Sequence, residues 1–84
     1  MLLDETFKQA KNKTVGLKQT QRALEKGLVQ RVYLAKDADS HVLRPLVEWC
    51  RSHNVERLEV PTMKELGKAC GIEVGTAVAA VLKD

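Results

Sequence analysis

Apolar positions fall in short blocks whose spacing switches between helical and extended along the chain. At 100° per residue, Leu17, Leu24 and Leu28 lie within about 40° of one another, the docking face of a helix over residues 17–26. Arg31-Val-Tyr-Leu-Ala35 is an unbroken β-branched and aromatic run, which reads as a strand covered on both faces. Helical spacing returns where Val42/Leu43, Leu46/Val47 and Cys50 recur at i, i+4 and i+8. Val55, Leu58 and Val60 alternate loosely, as a third strand would. Met63, Leu66 and Cys70 share one side of a short helix, and Thr76 to Leu82 reads as a buried central strand. Before these blocks, Phe7 and Ala10 give an apolar edge to a helix over residues 4–12, and Lys13–Val15 fits an edge strand.

Turn and cap residues divide these blocks. Gly16 permits a tight turn and close approach of another backbone, and Gly27 suits the position just past a helix end. Asp39 or Ser40 can cap the third helix, and Asn54 can end it in a left-handed conformation; Pro45 is awkward inside it, so either a short turn precedes a helix starting near Pro45 or the helix is kinked there. Thr62 and Glu65 have capping-box spacing, with Gly71 as the stop and Ile72-Glu-Val74 as a loop between glycines. Helix and strand therefore alternate four times, which predicts a three-layer α/β domain with helices on both faces of a mixed or largely parallel four-stranded sheet.

With 84 residues and 44% hydrophobic content the chain makes one domain with a modest core. The longest apolar run, Ala77 to Leu82, is far short of the roughly 20 residues of a membrane span. The start, Met-Leu-Leu-Asp-Glu, has no secretory pattern, and Cys50 and Cys70 make no disulfide framework, so a cytoplasmic protein is expected.

The net charge of +3 is less informative than its distribution. Residues 8–36 hold eight basic residues against one acid, Glu25, whereas residues 37–84 hold eight acids against six bases. Lys18, Arg22 and Lys26 repeat at i, i+4 and i+8, a stripe opposite the leucine face, with Gln19 beside it. The stripe begins at a helix N-terminus, where free N–H groups and the helix dipole also favour anions. Lys11, Lys13 and Lys36 are expected to add to the same field. Lysine and arginine can donate to guanine O6 and N7 or hold phosphate, and glutamine can donate and accept. Aromatic content of 4% argues against a sheet that stacks bases, so recognition by shape and helix insertion fits better.

Other candidate chemistry is sparse. His41 and His53 stand at opposite ends of one helix without zinc-ligand spacing. Cys50 and Cys70 fall on inward helical positions, as packing thiols do. Gly67, Gly71 and Gly75 lack the Gly-Lys-Ser/Thr ending of a phosphate loop. The acids of Lys36-Asp-Ala-Asp39 are explained by helix capping more simply than by a metal. No enzymatic activity, metal, cofactor or small-molecule substrate is expected.

Three segments in order, Thr14-Val-Gly-Leu-Lys-Gln-Thr with the following Ala-Leu and Gly27, Ala35-Lys-Asp-Ala-Asp39, and Leu66-Gly-Lys-Ala-Cys-Gly-Ile-Glu-Val-Gly75, resemble the L-seven-Ae family of ribosomal proteins, which bind kink-turn RNA. The resemblance covers nearly the whole chain and is nearest to the short bacterial YbxF-type members. It implies a compact α/β/α sandwich acting as a monomeric kink-turn RNA-binding domain. In that family the helix beginning at the glycine, here Gly16, enters the widened major groove beside tandem sheared G·A pairs. The positions that contact guanines correspond to Lys18, Gln19 and Arg22, and Lys26 matches a backbone contact. Ile72, Glu73 and Val74 correspond to the loop covering the other side of the bend. Asp39, with Leu43 one turn on, corresponds to the neighbourhood of the extruded nucleotide, and Lys36 lies in the same loop. Lys18 and Gln19 replace the more usual Asn and Glu, and Met63 replaces a lysine of many archaeal and eukaryotic relatives. Two other readings of the same basic face are an adaptor for an acidic protein and a general binder of structured RNA.

Overall fold

The computed structural model describes Phe7 and residues 12–83; of the helix expected over residues 4–12, all but Phe7 and Asn12 lie outside the described residues. The described elements are β1 (Lys13–Val15), α1 (Leu17–Glu25), β2 (Val29–Ala35), α2 (Ser40–Ser52), β3 (Glu56–Val60), α3 (Met63–Ala69) and β4 (Val78–Leu82). One mixed sheet has the order β1-β4-β2-β3. β2 and β3 are parallel, and β4 runs antiparallel to both β1 and β2. The last strand is thus inserted between the first two, and the ends of β1, β2 and β3 lie at the same sheet edge as the start of β4.

Side chains alternate between two apolar layers, because successive residues of a strand point to opposite faces. On one face Val32, Leu34, Val78 and Ala80 pack with Ala23 and Leu24 of α1 and Leu46 and Cys50 of α2. On the other, Tyr33, Ala35, Ala79 and Val81 pack with Val60, Leu66 of α3 and Phe7, whose ring meets Tyr33 edge-on at 5.0 Å. Helices therefore cover both faces of the sheet, as the alternation predicts.

Two local expectations change. The docking face of α1 is Thr20, Ala23 and Leu24 rather than the three leucines. Leu24 is 3% exposed, but Leu17 is 38% and Leu28 45% exposed. Gly27, at φ +70°, ends the helical period before Leu28, so Leu28 never joins that face. Buried Thr20 keeps its hydroxyl satisfied by pairing with that of Thr14 at 3.0 Å, which ties α1 to β1. The second change concerns Pro45, which neither delays nor divides α2. Asp39 accepts from the His41 N–H at 2.8 Å and starts the helix at Ser40, with Pro45 inside it. The ring is exposed, and the carbonyl that loses its intrahelical donor belongs to exposed His41. Asn54, at φ +56°, ends α2 as expected.

Truncation separates the two leucine environments. Leu24→Ala is expected to cost about 2–4 kcal/mol, whereas Leu28→Ala stays within about 0.5 kcal/mol. Urea unfolding of both variants checks this, and equal losses would restore the three-leucine face.

Candidate nucleic-acid interface

Four connections meet at the sheet edge where β1, β2 and β3 end. They are the Gly16 turn into α1, residues 36–39 into α2, residues 61–62 into α3, and residues 70–77 into β4. Backbone and side-chain hydrogen bonds join them. The Gly16 N–H donates to the Val78 carbonyl at 2.9 Å, which also accepts from the Thr76 hydroxyl at 2.9 Å. The Thr76 N–H donates to the Met63 carbonyl at 3.1 Å, and the Met63 N–H donates to the Asp37 carboxylate at 2.8 Å. Asp37, one of the acids that the sequence assigns to helix capping, does cap a helix, but it is the start of α3, 26 residues away in the chain, rather than that of α2.

The helix starts differ in how their N–H groups are satisfied. α2 has Asp39, and α3 has Asp37 for Met63 and Thr62 for Glu65 at 3.0 Å. α1 begins at Gly16, which has φ +97° and no side chain to cap with. Among the described residues, nothing accepts from the N–H groups of Leu17, Lys18 or Gln19. No acid lies in that first turn, so partial positive charge accumulates where the basic stripe begins. It is the positive φ of Gly16, rather than crowding, that favours glycine there: a Cβ would meet Gln19 Oε1 at 3.4 Å, an ordinary contact.

Lys18, Gln19, Arg22 and Lys26 are all exposed, as are Lys36 and Asp39. Lys13 and Arg31 do not join this stripe. Lys13 is turned to the other face of the sheet, with Nζ 4.8 Å from the centre of the Phe7 ring. Arg31 hydrogen-bonds to the Tyr33 hydroxyl at 3.4 Å and the Glu56 carboxylate at 2.7 Å. These two bonds raise its pKa further and fix its charge in a tie between β2 and β3. Lys11 lies outside the described residues.

The segment after α3 turns at Gly71, φ +80°, and folds back along the helix. The Ile72 N–H donates to the Gly67 carbonyl at 3.0 Å. A Cβ at Gly67 would meet the Val74 carbonyl oxygen, so glycine is what allows the loop to lie directly on α3. A Cβ at Gly75 would come within 3.1 Å of Met63. The spacing of these glycines is therefore a packing device rather than a phosphate loop. Ile72 is half-buried, Glu73 exposed, and Val74 projects with 69% exposure. Leu43 is half-buried against the α1–α2 side of the core, one turn beyond Asp39.

No group of three or more histidine, cysteine or acidic residues is placed to hold a metal ion among the described residues. His53 stacks on Trp49 at 4.6 Å, at the far end of α2 from His41. Burial raises the thiol pKa of Cys50, against the opposing effect of Arg57, and that of Cys70, against Lys13. Both thiols are thereby held away from the reactive thiolate form. Among the described residues, no helix is long and apolar enough to cross a membrane.

Sheet order, the two helical layers and the loop-bearing edge define a small α/β/α sandwich built around one exposed helix start. A 15.5kD RNA binding protein of Giardia lamblia has a similar structure, with a TM-score of 0.80 and 27% identity over 90% of this chain and 62% of that one. A protein of unknown function from Bacillus halodurans superimposes with a TM-score of 0.77 and 28% identity, over 84% of this chain and 71% of its own. The chain belongs to the ribosomal protein L7Ae/L30e/S12e/Gadd45 family, whose profile matches residues 3–84. An RNA-binding protein of Caldanaerobacter subterraneus is 46% identical over 68 residues, 81% of this chain and 83% of that protein. The RNA-binding protein YbxF of Geobacillus stearothermophilus is 40% identical over 79 residues, covering 94% of this chain and 96% of its own.

The Gly67 contact gives a direct test of loop placement. Gly67→Ala puts a methyl group against a backbone carbonyl, and is expected to cost about 1–3 kcal/mol by overpacking. Thermal unfolding measures the cost, and amide shifts over residues 72–75 show the displacement. Unchanged stability and shifts would show that the loop does not rest on the helix.

Proposed function

We propose that this protein is a non-enzymatic RNA-binding protein that recognises kink-turns and stabilises the bent RNA by binding it in preference to the extended form. The observation that carries this reading is the open, uncapped start of α1, where exposed Lys18 and Gln19 share one sheet edge with the Ile72–Val74 loop. Its relatives in Caldanaerobacter subterraneus, Geobacillus stearothermophilus and Giardia lamblia are RNA-binding proteins, which supports the same class of partner.

In this reading α1 enters the widened major groove beside the sheared G·A pairs. Lys18 and Arg22 donate to guanine O6 and N7, while Gln19 accepts from guanine N–H groups through its amide oxygen. Lys18 also adds charge, which strengthens the part of the affinity that is independent of sequence. Lys26 lies about 12 Å along the helix from Lys18 and reaches backbone phosphate. Ile72, Glu73 and Val74 cover the other side of the bend, and Lys36, Asp39 and Leu43 lie towards the extruded nucleotide. The protein acts as a single cytoplasmic domain and a monomer, with no cofactor.

The test compares binding to a kink-turn RNA with binding to the same RNA carrying Watson–Crick pairs in place of G·A. A clear preference for the kink-turn is expected; equal affinity would leave only charge attraction. Lys18→Ala and Arg22→Ala should each cost about 1–3 kcal/mol and weaken the preference, whereas Lys26→Ala should reduce the salt slope by about one and keep it. Identical behaviour of the three variants would refute the division between guanine and phosphate contacts.

A further inference from the structure

We infer that Asp37 is a positioning residue for RNA discrimination, setting the Ile72–Val74 loop against the start of α1 through Met63, Thr76 and Val78. The inference rests on the kink-turn reading above and deepens it.

Asp37 stands just past the end of β2, and the Lys36 N–H donates to the Val60 carbonyl at 2.8 Å, so its backbone is held over the end of β3. From there the carboxylate accepts from the first N–H of α3, that of Met63. The local cap leaves this donor to Asp37, because the Thr62 hydroxyl accepts from Glu65 instead. A charged acceptor makes this a stronger bond than a neutral one.

Met63 is held on both sides of its backbone. Its N–H meets Asp37, and its carbonyl accepts from Thr76. The Gly75 backbone lies close against it, with only 3.1 Å available to a Cβ. A shift of Met63 is therefore passed to Gly75 and Thr76. Thr76 in turn shares the Val78 carbonyl with Gly16, where the basic helix begins. Asp37 thus orders two surfaces that face different sides of the RNA, although neither contains it.

The charge of Asp37 acts on RNA in the opposite sense to its hydrogen bond. A carboxylate beside Lys36, at an edge that attracts polyanions, opposes binding through long-range electrostatics. Its removal should help binding that depends on charge alone and harm binding that depends on loop placement. The two effects have opposite signs and can be measured separately.

Asp37→Ala and Asp37→Asn remove the same charge, but only asparagine keeps an oxygen able to accept from Met63. Each variant is titrated with the kink-turn RNA and its Watson–Crick counterpart. Asp37→Ala should lose roughly three- to tenfold in the affinity ratio, with binding to the Watson–Crick RNA unchanged or tighter. Asp37→Asn should keep the ratio. A full ratio in Asp37→Ala, or equal losses in both variants, would overturn the inference. Amide exchange in the free protein gives a second readout: Met63 and Thr76 should exchange faster in Asp37→Ala than in Asp37→Asn or the unmodified chain. Equal exchange in all three would also overturn the inference. If the unmodified chain shows no preference for the kinked RNA, the kink-turn reading and its link to Asp37 both fail, while exchange still decides whether Asp37 holds the loop.

Discussion

The arrangement depends on β4 being inserted, antiparallel, between β1 and β2. Val78, Ala79, Ala80 and Val81 are buried, so this strand contributes to both apolar layers. Its direction is what matters for the interface. A parallel strand in this place would start at the opposite edge of the sheet. Running antiparallel, β4 brings the segment before it to the edge where the other three strands end. Gly16 at the start of α1 and Thr76, just after the Ile72–Val74 loop, are far apart in the chain yet donate to the same acceptor, the Val78 carbonyl.

The fold also sorts the basic residues. A charge count over residues 8–36 treats its cations alike, but the sheet does not. Alternation along β1 sends Lys13 to the face covered by Phe7, and alternation along β2 gives Arg31 to Tyr33 and Glu56. The cations left on the α1 surface are Lys18, Arg22 and Lys26, joined by Lys36 at the sheet edge. Lys18 and Lys36 lie near the open, positive end of the helix dipole, and Arg22 and Lys26 continue the positive surface along the helix, which gives the field a position as well as a sign.

Much of the fold was legible because local signals agreed with one another. The unbroken run at Arg31–Ala35, the apolar run ending at Leu82, the Thr62 cap and the stops at Gly27, Asn54 and Gly71 each depend on nearby residues. Leu28 misled because an ideal helical wheel carries the period past the point where Gly27 ends it, and Leu17 because it is the first residue of α1 and lies at the exposed end of the helix. Thr20 was hidden for the opposite reason: a hydroxyl looks unsuited to the core until its partner, Thr14, is seen. The exposed stripe on α1 could be read from spacing alone. Asp37 and Gly67 could not, since their roles are contacts with segments remote in sequence or folded back upon them.

The edge away from the interface has a practical consequence. There α1 and α2 end, and the chain turns through Gly27 and Asn54. Ser52, the last residue of α2, is exposed on that side. A five-residue strand spans about 17 Å, so a dye on Ser52 would stand roughly that far from the loop-bearing edge. That spacing keeps a label clear of bound nucleic acid yet within energy-transfer range of one attached to it. The same polarity that gathers four connections at one edge thus leaves the other as a handle for a reporter of RNA binding.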